Sequence, residues 1–282
     1  MISSEKRTIR IAILDLYEGH ANQGMRCIHQ IIRQWCRENE DLHIEKQVFD
    51  VRLKNEIPDT SFDIYISSGG PGDPLSTRYE DWDISWTRWL SDIMRWNENP
   101  DSSDKKHVFF ICHSFQLACR NLYTGTVCKR RSTSFGVFPV HMLEGGRREV
   151  VFSGLRDPFY AVDSRDYQVV QPNHARLREL GGKILCIEKE RPHVPYERAV
   201  MGIRFNEYMI GTQFHPEADA EGMSLHLQTE EKKKTVIENY GEQKLYNMLD
   251  HLNDPDKIVW TYAHVLPNFL NYAVGQAEVV AI

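Results

Sequence analysis

No run of apolar residues in the 282-residue chain approaches the roughly 20 needed to span a bilayer. The opening stretch, MISSEKRTIRIAILDL, carries charge where a secretory signal needs an apolar core and a cleavage site. The six cysteines include no CxxC pair and are too few, in a chain this long, to suggest a disulfide framework. Positive charge is not in excess: the formal net charge is −6, so a nucleic-acid surface would have to be local. EEKKK at 230–234 mixes signs and reads as a solvated helix face. There is no Gly/Ser/Pro linker tract and no internal repeat. These absences predict a cytoplasmic, reduced protein with no membrane span and no nucleic-acid partner. With 41% apolar and 26% charged residues, the composition is that of an ordinary globular chain with a substantial core.

What is present is an alternation of strand-like and helix-like segments. Ile9 to Leu16 is a β-branched apolar run, as a strand buried on both faces requires. Met25, Ile28, Ile31, Ile32 and Trp35 then recur at helical spacing. LHIEKQVFDV and FDIYISS read as two further strands, and Trp82, Trp86, Trp89, Ile93 and Trp96 mark one face of a helix. HVFFIC is a fourth strand, followed by the helix HSFQLACRNL. Such alternation predicts a mostly parallel α/β sheet flanked by helices. Beyond about Cys128 the segments shorten to FGVFPVHML, YAVDSRDYQVV, ILCIEKE, AVMGIRF and MIGTQF, expected as antiparallel edge strands. The expected division is residues 1–220 for this domain and 221–282 for a helical C-terminal extension packed on it. Two tail segments are expected as helices: one with Val236, Leu245, Met248 and Leu249, the other with Ile258, Val265, Leu266, Phe269 and Leu270. Pro255 would turn the chain between them.

Sites in open α/β sheets form outside the carboxyl ends of the strands. Two loops qualify, SSGGPGDP and CHSFQ. A cysteine at a strand-to-helix turn points its sulfur at free helix N–H groups, which favour a thiolate. The N–H of His113 would face an oxyanion there, and glycines on the neighbouring loop let a second N–H, that of Gly70, approach the same oxygen. A buried structural thiol is the competing reading of Cys112. A disulfide to Cys119 is not, since seven residues on one helix separate them. A nucleophile needs a base held by a third group, and MIGTQFHPEAD offers His215 and Glu217 at the end of an apolar strand. GGPGDP lacks the trailing Gly-Lys-Ser/Thr of a phosphate loop, and His20, His174 and His193 have no metal-ligand spacing. Neither a metal nor a cofactor is expected.

The ordered set SSGGPGDP, FFICHSFQ and GTQFHPEAD resembles the class I (triad) glutamine amidotransferases: their oxyanion loop, nucleophile elbow and His-x-Glu, in that order and spacing. NQG, SFGVFPV and DSRDYQVVQP correspond more weakly, the last to a Ser-His-x-Asp-like loop, so the resemblance spans residues 9–219. It implies a flavodoxin-like sheet and a glutaminase reaction. Cys112 would attack the glutamine amide, His215 would serve as base and then acid, and Glu217 would orient His215. Gly70 and His113 would bind the oxyanion, while Gln116 and the backbone at Ser164 and Arg165 would hold the amino-acid end. The ammonia would pass to a separate synthase subunit.

Departures from the family pattern bear on the activity. The elbow usually reads Gly-x-Cys-x-Gly-x-Gln, and here Phe110 and Ser114 occupy the glycine positions. Ser114 is small; Phe110 must point into an enlarged space or shift the elbow. If it merely crowds the turn, Phe110→Gly should leave activity unchanged or raise it. Ser134 stands where the family often has glutamate. Three readings follow: a glutaminase serving a synthase, a γ-glutamyl amide or peptide hydrolase, and a non-catalytic interaction protein that keeps the fold. The tail helices are expected against the sheet domain or a second copy of the chain, as in a homodimer.

Overall fold

The computed structural model describes residues 6–20, 22–191, 197–228 and 257–275, with scattered positions between 233 and 254. The chain begins with β1 (Arg7–Asp15), α1 (Gln23–Glu38), β2 (Leu42–Asp50), the short α2 (Val51–Lys54) and β3 (Ile64–Ser67). α3 (Asp81–Glu98), β4 (His107–Ile111) and α4 (His113–Leu122) follow. β5 (Thr126–Met142), α5 (Glu144–Arg147), β6 (Phe159–Val170), α6 (His174–Leu180) and β7 (Lys183–Glu188) come next. β8 (Val200–Arg204), β9 (Met209–Thr212), α7 (Ala220–Gln228) and a last helix, α8 (Ile258–Ala273), complete the described elements.

The nine strands among the described residues form one sheet in the order β2-β1-β3-β4-β9-β8-β7-β5-β6. β2, β1, β3, β4 and β9 are parallel. From β9 onward each neighbour runs antiparallel to the last. The mostly parallel α/β sheet expected from the alternation is thus what the chain forms, and the short later segments build its antiparallel side. β2 is an outer strand with exposed charged residues, which discourages pairing with another chain.

Period-two alternation divides the core between the two faces. Ile9, Ile11 and Ile13 of β1 and Phe109 and Ile111 of β4 pack with α1 and α8. Ala12, Leu14, Val108 and Phe110 pack on the other face with α3 and α4. α1 is seated by Ile28, Ile31, Ile32 and Trp35, and capped by Asn22, whose side chain accepts from the Met25 N–H at 2.8 Å.

α8 lies on the α1 face, with Val265, Leu266, Phe269 and Leu270 fully buried. Phe269 meets Phe109 edge-on at 5.2 Å, and the Trp35 indole donates to Asn271 Oδ1 at 2.7 Å. The Thr261 hydroxyl donates to the Tyr160 carbonyl of β6 at 2.5 Å. The other expected tail segment, including Val236, Leu245, Met248, Leu249 and the Pro255 turn, falls outside the described residues. Among the described residues no helix is long and apolar enough to cross a membrane.

Candidate active site

β4 ends at Ile111 and α4 begins at His113, leaving Cys112 alone to make the turn. It does so at φ 47° and ψ −95°, a conformation that costs a non-glycine residue about 1–3 kcal/mol. Hydrogen bonds on both sides fix it. The Cys112 N–H donates to the Thr212 carbonyl of β9 at 2.8 Å, and the Gln116 N–H donates to the Cys112 carbonyl at 3.0 Å. Ser114, at a position where the family has glycine, adds a brace. Its hydroxyl donates to the Ser67 carbonyl of β3 at 2.6 Å and accepts from the Ile111 N–H at 2.9 Å.

Phe110 does not crowd this turn. Its ring is fully buried on the α3 face, 5.8 Å from Trp86 and 5.8 Å from Phe205. The residues paired with it are small, Ser67 on β3 and Gly211 on β9. A Cβ on Gly211 would lie 3.0 Å from Phe110 Cβ and 2.9 Å from the Phe115 ring. The volume that the family's pattern frees at the elbow is freed here on the neighbouring strand. Phe110→Gly would therefore open a cavity in the core rather than relieve a clash.

His215 and Glu217 reach the thiol from the end of β9. The His215 N–H donates to the Val162 carbonyl of β6 at 2.9 Å, and Nδ1 lies 2.9 Å from Glu217 Oε1. Burial opposes charge on this imidazole. The Glu217 carboxylate and the Cys112 thiol, both hydrogen-bonded to it, outweigh burial and hold its pKa well above the ordinary 6.5. The thiol is 5% exposed and is covered by the Ser164 carbonyl at 3.7 Å and the Gln213 amide, whose Nε2 lies 3.6 Å away. Among the described residues no group of three His, Cys, Asp or Glu side chains could hold a metal ion.

The glycine loop runs beside this cluster. A Cβ on Gly69 would lie 2.9 Å from His215 Cε1, and one on Gly70 only 2.3 Å from the Leu16 carbonyl oxygen, so both positions need glycine for close approach. Two arginines clamp the loop. Arg52 donates to the Pro71 carbonyl at 2.6 Å and stacks over Trp82 at 4.7 Å. Arg120, on α4, donates to the Pro74 carbonyl and pairs with buried Asp83, which in turn accepts from the Thr77 hydroxyl at 2.7 Å. His113 sits between these cations; burial, then Arg52 and Arg120, lower its pKa to about 3 and keep it neutral.

Of the other residues singled out from the sequence, Gln116 is buried and gives its amide N–H groups to the Tyr167 carbonyl and Gln213 Oε1, at 3.3 and 3.1 Å. Ser164 and Arg165 lie inside β6, paired with Phe135 and Ser134, and not in a loop. Only the Ser164 carbonyl meets the thiol, for the Arg165 side chain turns away to Asp163 at 2.8 Å and Glu188 at 3.5 Å. Ser134 donates to Asp163 at 2.7 Å. Sequence reasoning missed Gln213, whose only signal is its place two residues before His215. It also missed Tyr17, whose half-buried ring lies by the cluster: the point a Cβ on Gly24 would occupy is 2.2 Å from the Tyr17 hydroxyl and 3.2 Å from Glu217 Oε1. Burial, then the charges of Glu217 and Cys112, raise the Tyr17 pKa well above 10 and keep it a neutral phenol.

The family model "Glutamine amidotransferase class-I" matches residues 24–231. Solved structures share the fold at low identity. A glutamine amidotransferase from Thermotoga maritima is 14% identical, with a TM-score of 0.65 over 94% of this chain and 98% of its own. The glutaminase domain of the Trypanosoma brucei CTPS, solved with bound acivicin, is 14% identical, with a TM-score of 0.57 over 96% and 95%. A Thermoplasma acidophilum protein, described as a putative GMP synthase subunit, is also 14% identical, with a TM-score of 0.54 over 95% and 94%. No curated protein matches the chain by sequence.

Proposed function

The chain belongs to the class-I glutamine amidotransferase family, and we propose that it hydrolyses the side-chain amide of glutamine to glutamate and ammonia. The observation that carries this reading is the pairing of a backbone-strained Cys112 with a His215–Glu217 pair at 2.9 Å. In the proposed reaction the Cys112 thiolate adds to the amide carbon while His215 holds the proton. The oxyanion is met by the N–H of His113 and by that of Gly70. His215 then gives its proton to the departing nitrogen, ammonia leaves, and a thioester remains. Water, deprotonated by the same imidazole, adds to the thioester, and glutamate departs as the thiol is restored. Glu217 orients the ring and favours its charged form, in keeping with the raised pKa of His215. Gln116 and the Ser164 carbonyl are proposed to line the amino-acid end.

The ammonia is proposed to serve a separate synthase. Support comes from two structural neighbours, one described as part of a GMP synthase and the other as a CTPS glutaminase domain. The test is to incubate the purified protein with glutamine and with γ-glutamyl peptides, measuring glutamate and ammonia. Cys112→Ala and His215→Ala should each abolish release with the fold retained, and Glu217→Gln should leave a residue of activity. Acivicin should label the wild-type thiol and not Cys112→Ala. Full hydrolysis by Cys112→Ala would remove the assignment; faster turnover of γ-glutamyl peptides than of glutamine would remove the synthase partner.

A further inference from the structure

We propose that Arg26 and Asp219 form a positioning pair that holds Glu217 behind His215, a role that rests on the glutaminase reading of the site. Glu217 is 1% exposed, and its Oε1 lies 2.9 Å from His215 Nδ1. Its Oε2 is buried and accepts no hydrogen bond from the described residues. A buried carboxylate is ordinarily fixed by several donors. One with a single partner can turn about that contact, so its aim depends on the backbone that carries it.

That backbone is the turn after β9. At its near end the His215 N–H donates to the Val162 carbonyl at 2.9 Å. Within it the Ala218 N–H reaches the His215 carbonyl only at 3.4 Å, beyond the usual range for such a bond. The far end is Asp219, and there the anchor is strong. Asp219 Oδ1 caps α7 by accepting from the Gly222 N–H at 2.6 Å, and the same oxygen accepts from Arg26 Nη2 at 2.6 Å.

Arg26 is aimed by its own helix, α1. Its Nε donates to Gln23 Oε1 at 2.5 Å and its Nη1 to Gln30 Oε1 at 2.9 Å, while Nη2 also lies 3.3 Å from Cys27 Sγ. A planar guanidinium held on three sides cannot be reproduced by a lysine ammonium. Two glycines let the elements close. A Cβ on Gly222 would fall 2.6 Å from Arg26 Nη2, and one on Gly24 would fall 3.2 Å from Glu217 Oε1. The first turn of α1 thus abuts the Glu217 carboxylate and grips the residue two positions further on. The side chains of Arg26 and Asp219 are 36% and 16% exposed, so their attraction adds little stability; what the pair supplies is geometry.

Geometry matters here because burial opposes charge on the His215 ring, and Glu217 is the largest influence against it. A misaimed carboxylate supports the imidazolium less, and with it the thiolate. Displacement of supporting groups by about 1 Å can cost roughly 10²-fold in rate.

The test uses the full-length protein. It measures kcat and KM for glutamine, and the rate at which iodoacetamide alkylates Cys112, read on its own peptide by mass spectrometry. Arg26→Ala should lower kcat about tenfold with KM within about twofold, and slow alkylation in step. Arg26→Lys should recover only part of the loss. Asp219→Asn keeps an oxygen for the α7 cap and should act in the same direction, which decides the matter should Arg26→Ala not fold. Arg33→Ala removes an exposed cation from the same helix and should change neither rate. In a Glu217→Gln background, Arg26→Ala should add less than about twofold, because its effect passes through the carboxylate; a merely structural role would act equally in both backgrounds. The proposal is overturned by unchanged rates in Arg26→Ala and Asp219→Asn, by a full further loss in the Glu217→Gln background, or by an equal loss in Arg33→Ala. Absence of glutamate release from the wild type would remove the glutaminase reading instead. The alkylation rates would then decide the positioning alone, slowing in Arg26→Ala supporting it and an equal rate overturning it.

Discussion

On the parallel side of the sheet Phe110 is held only by van der Waals contact, among Trp86, Trp89 and Phe205. On the antiparallel side Arg165 is buried almost as deeply, but by ion pairs with Asp163 and Glu188. The candidate site lies on the seam between them. Cys112 comes from the parallel side, while the carbonyl over its sulfur and the carbonyl holding the His215 backbone come from β6. Apolar packing spreads its contribution over many weak contacts and degrades in proportion to the atoms removed. A buried ion pair fails as a unit, because the surviving partner is left charged and dry. Damage to the two sides should therefore differ in kind.

The largest effect is expected from removing α8, which buries Val265, Leu266, Phe269 and Leu270 on the α1 face of the sheet and Ile258 against Val137 of β5 and Val162 of β6. At about 1.5–3 kcal/mol for each buried side chain, the loss is roughly 10 kcal/mol, comparable with the whole stability of a domain. Truncation after about Ala220 should yield aggregated protein; a soluble chain with an intact sheet by circular dichroism would show that the helix is dispensable. Next, Phe110→Ala should cost about 3–5 kcal/mol by denaturant titration, with the slope unchanged. A loss below about 1 kcal/mol would mean that Phe110 is not the packing centre described.

Glu188→Gln should cost about 3 kcal/mol, because Arg130, Arg165 and Arg191 lose their shared partner. Substituting Arg130 and Glu188 together by apolar residues should recover much of that loss, whereas no second substitution of that type repairs Phe110→Ala. Failure of the recovery in a double-mutant cycle would remove the distinction between the two sides.

A further effect is one of pH. His107 on β4 is pushed down to about 4 by burial and then by Arg204, and His113 to about 3. Their folded values lie below the unfolded 6.5, so the unfolded chain binds more protons, and their contribution is lost as pH falls from 6.5 toward 4. Glu188 differs: burial opposes its charge, yet Arg165 and Arg130 hold its pKa below the ordinary 4.5. Its contribution is complete above 4.5 and lost only as pH falls through the lower folded value. Hydrogen exchange at pH 7, 5.5 and 4 should show β4 weakening first and β5–β6 later. Simultaneous weakening at pH 5.5 would contradict the assignment.

The order of strands and helices was legible because each element of the parallel side carries its own local pattern, β-branched runs for β1 and i, i+3, i+4 spacing for α1. β6 shows where legibility ends. YAVDSRDYQVV reads as a strand and is one, so the loop suggested by matching DSRDY to a family motif does not hold. What the pattern leaves unexplained is why its inward residues are Asp163 and Arg165, and that is answered only by the partners Ser134 and Glu188. The Phe110 problem has the same origin, since its solution, Gly211, lies about a hundred residues away in the chain.

The sequence by itself determined the α/β alternation, the turn that carries Cys112, and the choice of His215 and Glu217, all of which rest on contacts within a few residues or on a short motif. Tertiary structure alone decided the rest. It set the approach of Tyr17 and of Gln213 to the thiol cluster, the clamp of Arg52 and Arg120 on the glycine loop, and the bulge in β5. Each of these joins residues tens of positions apart whose side chains carry no periodic signal, because burial of a polar group is settled by the partner it finds and not by its neighbours along the chain.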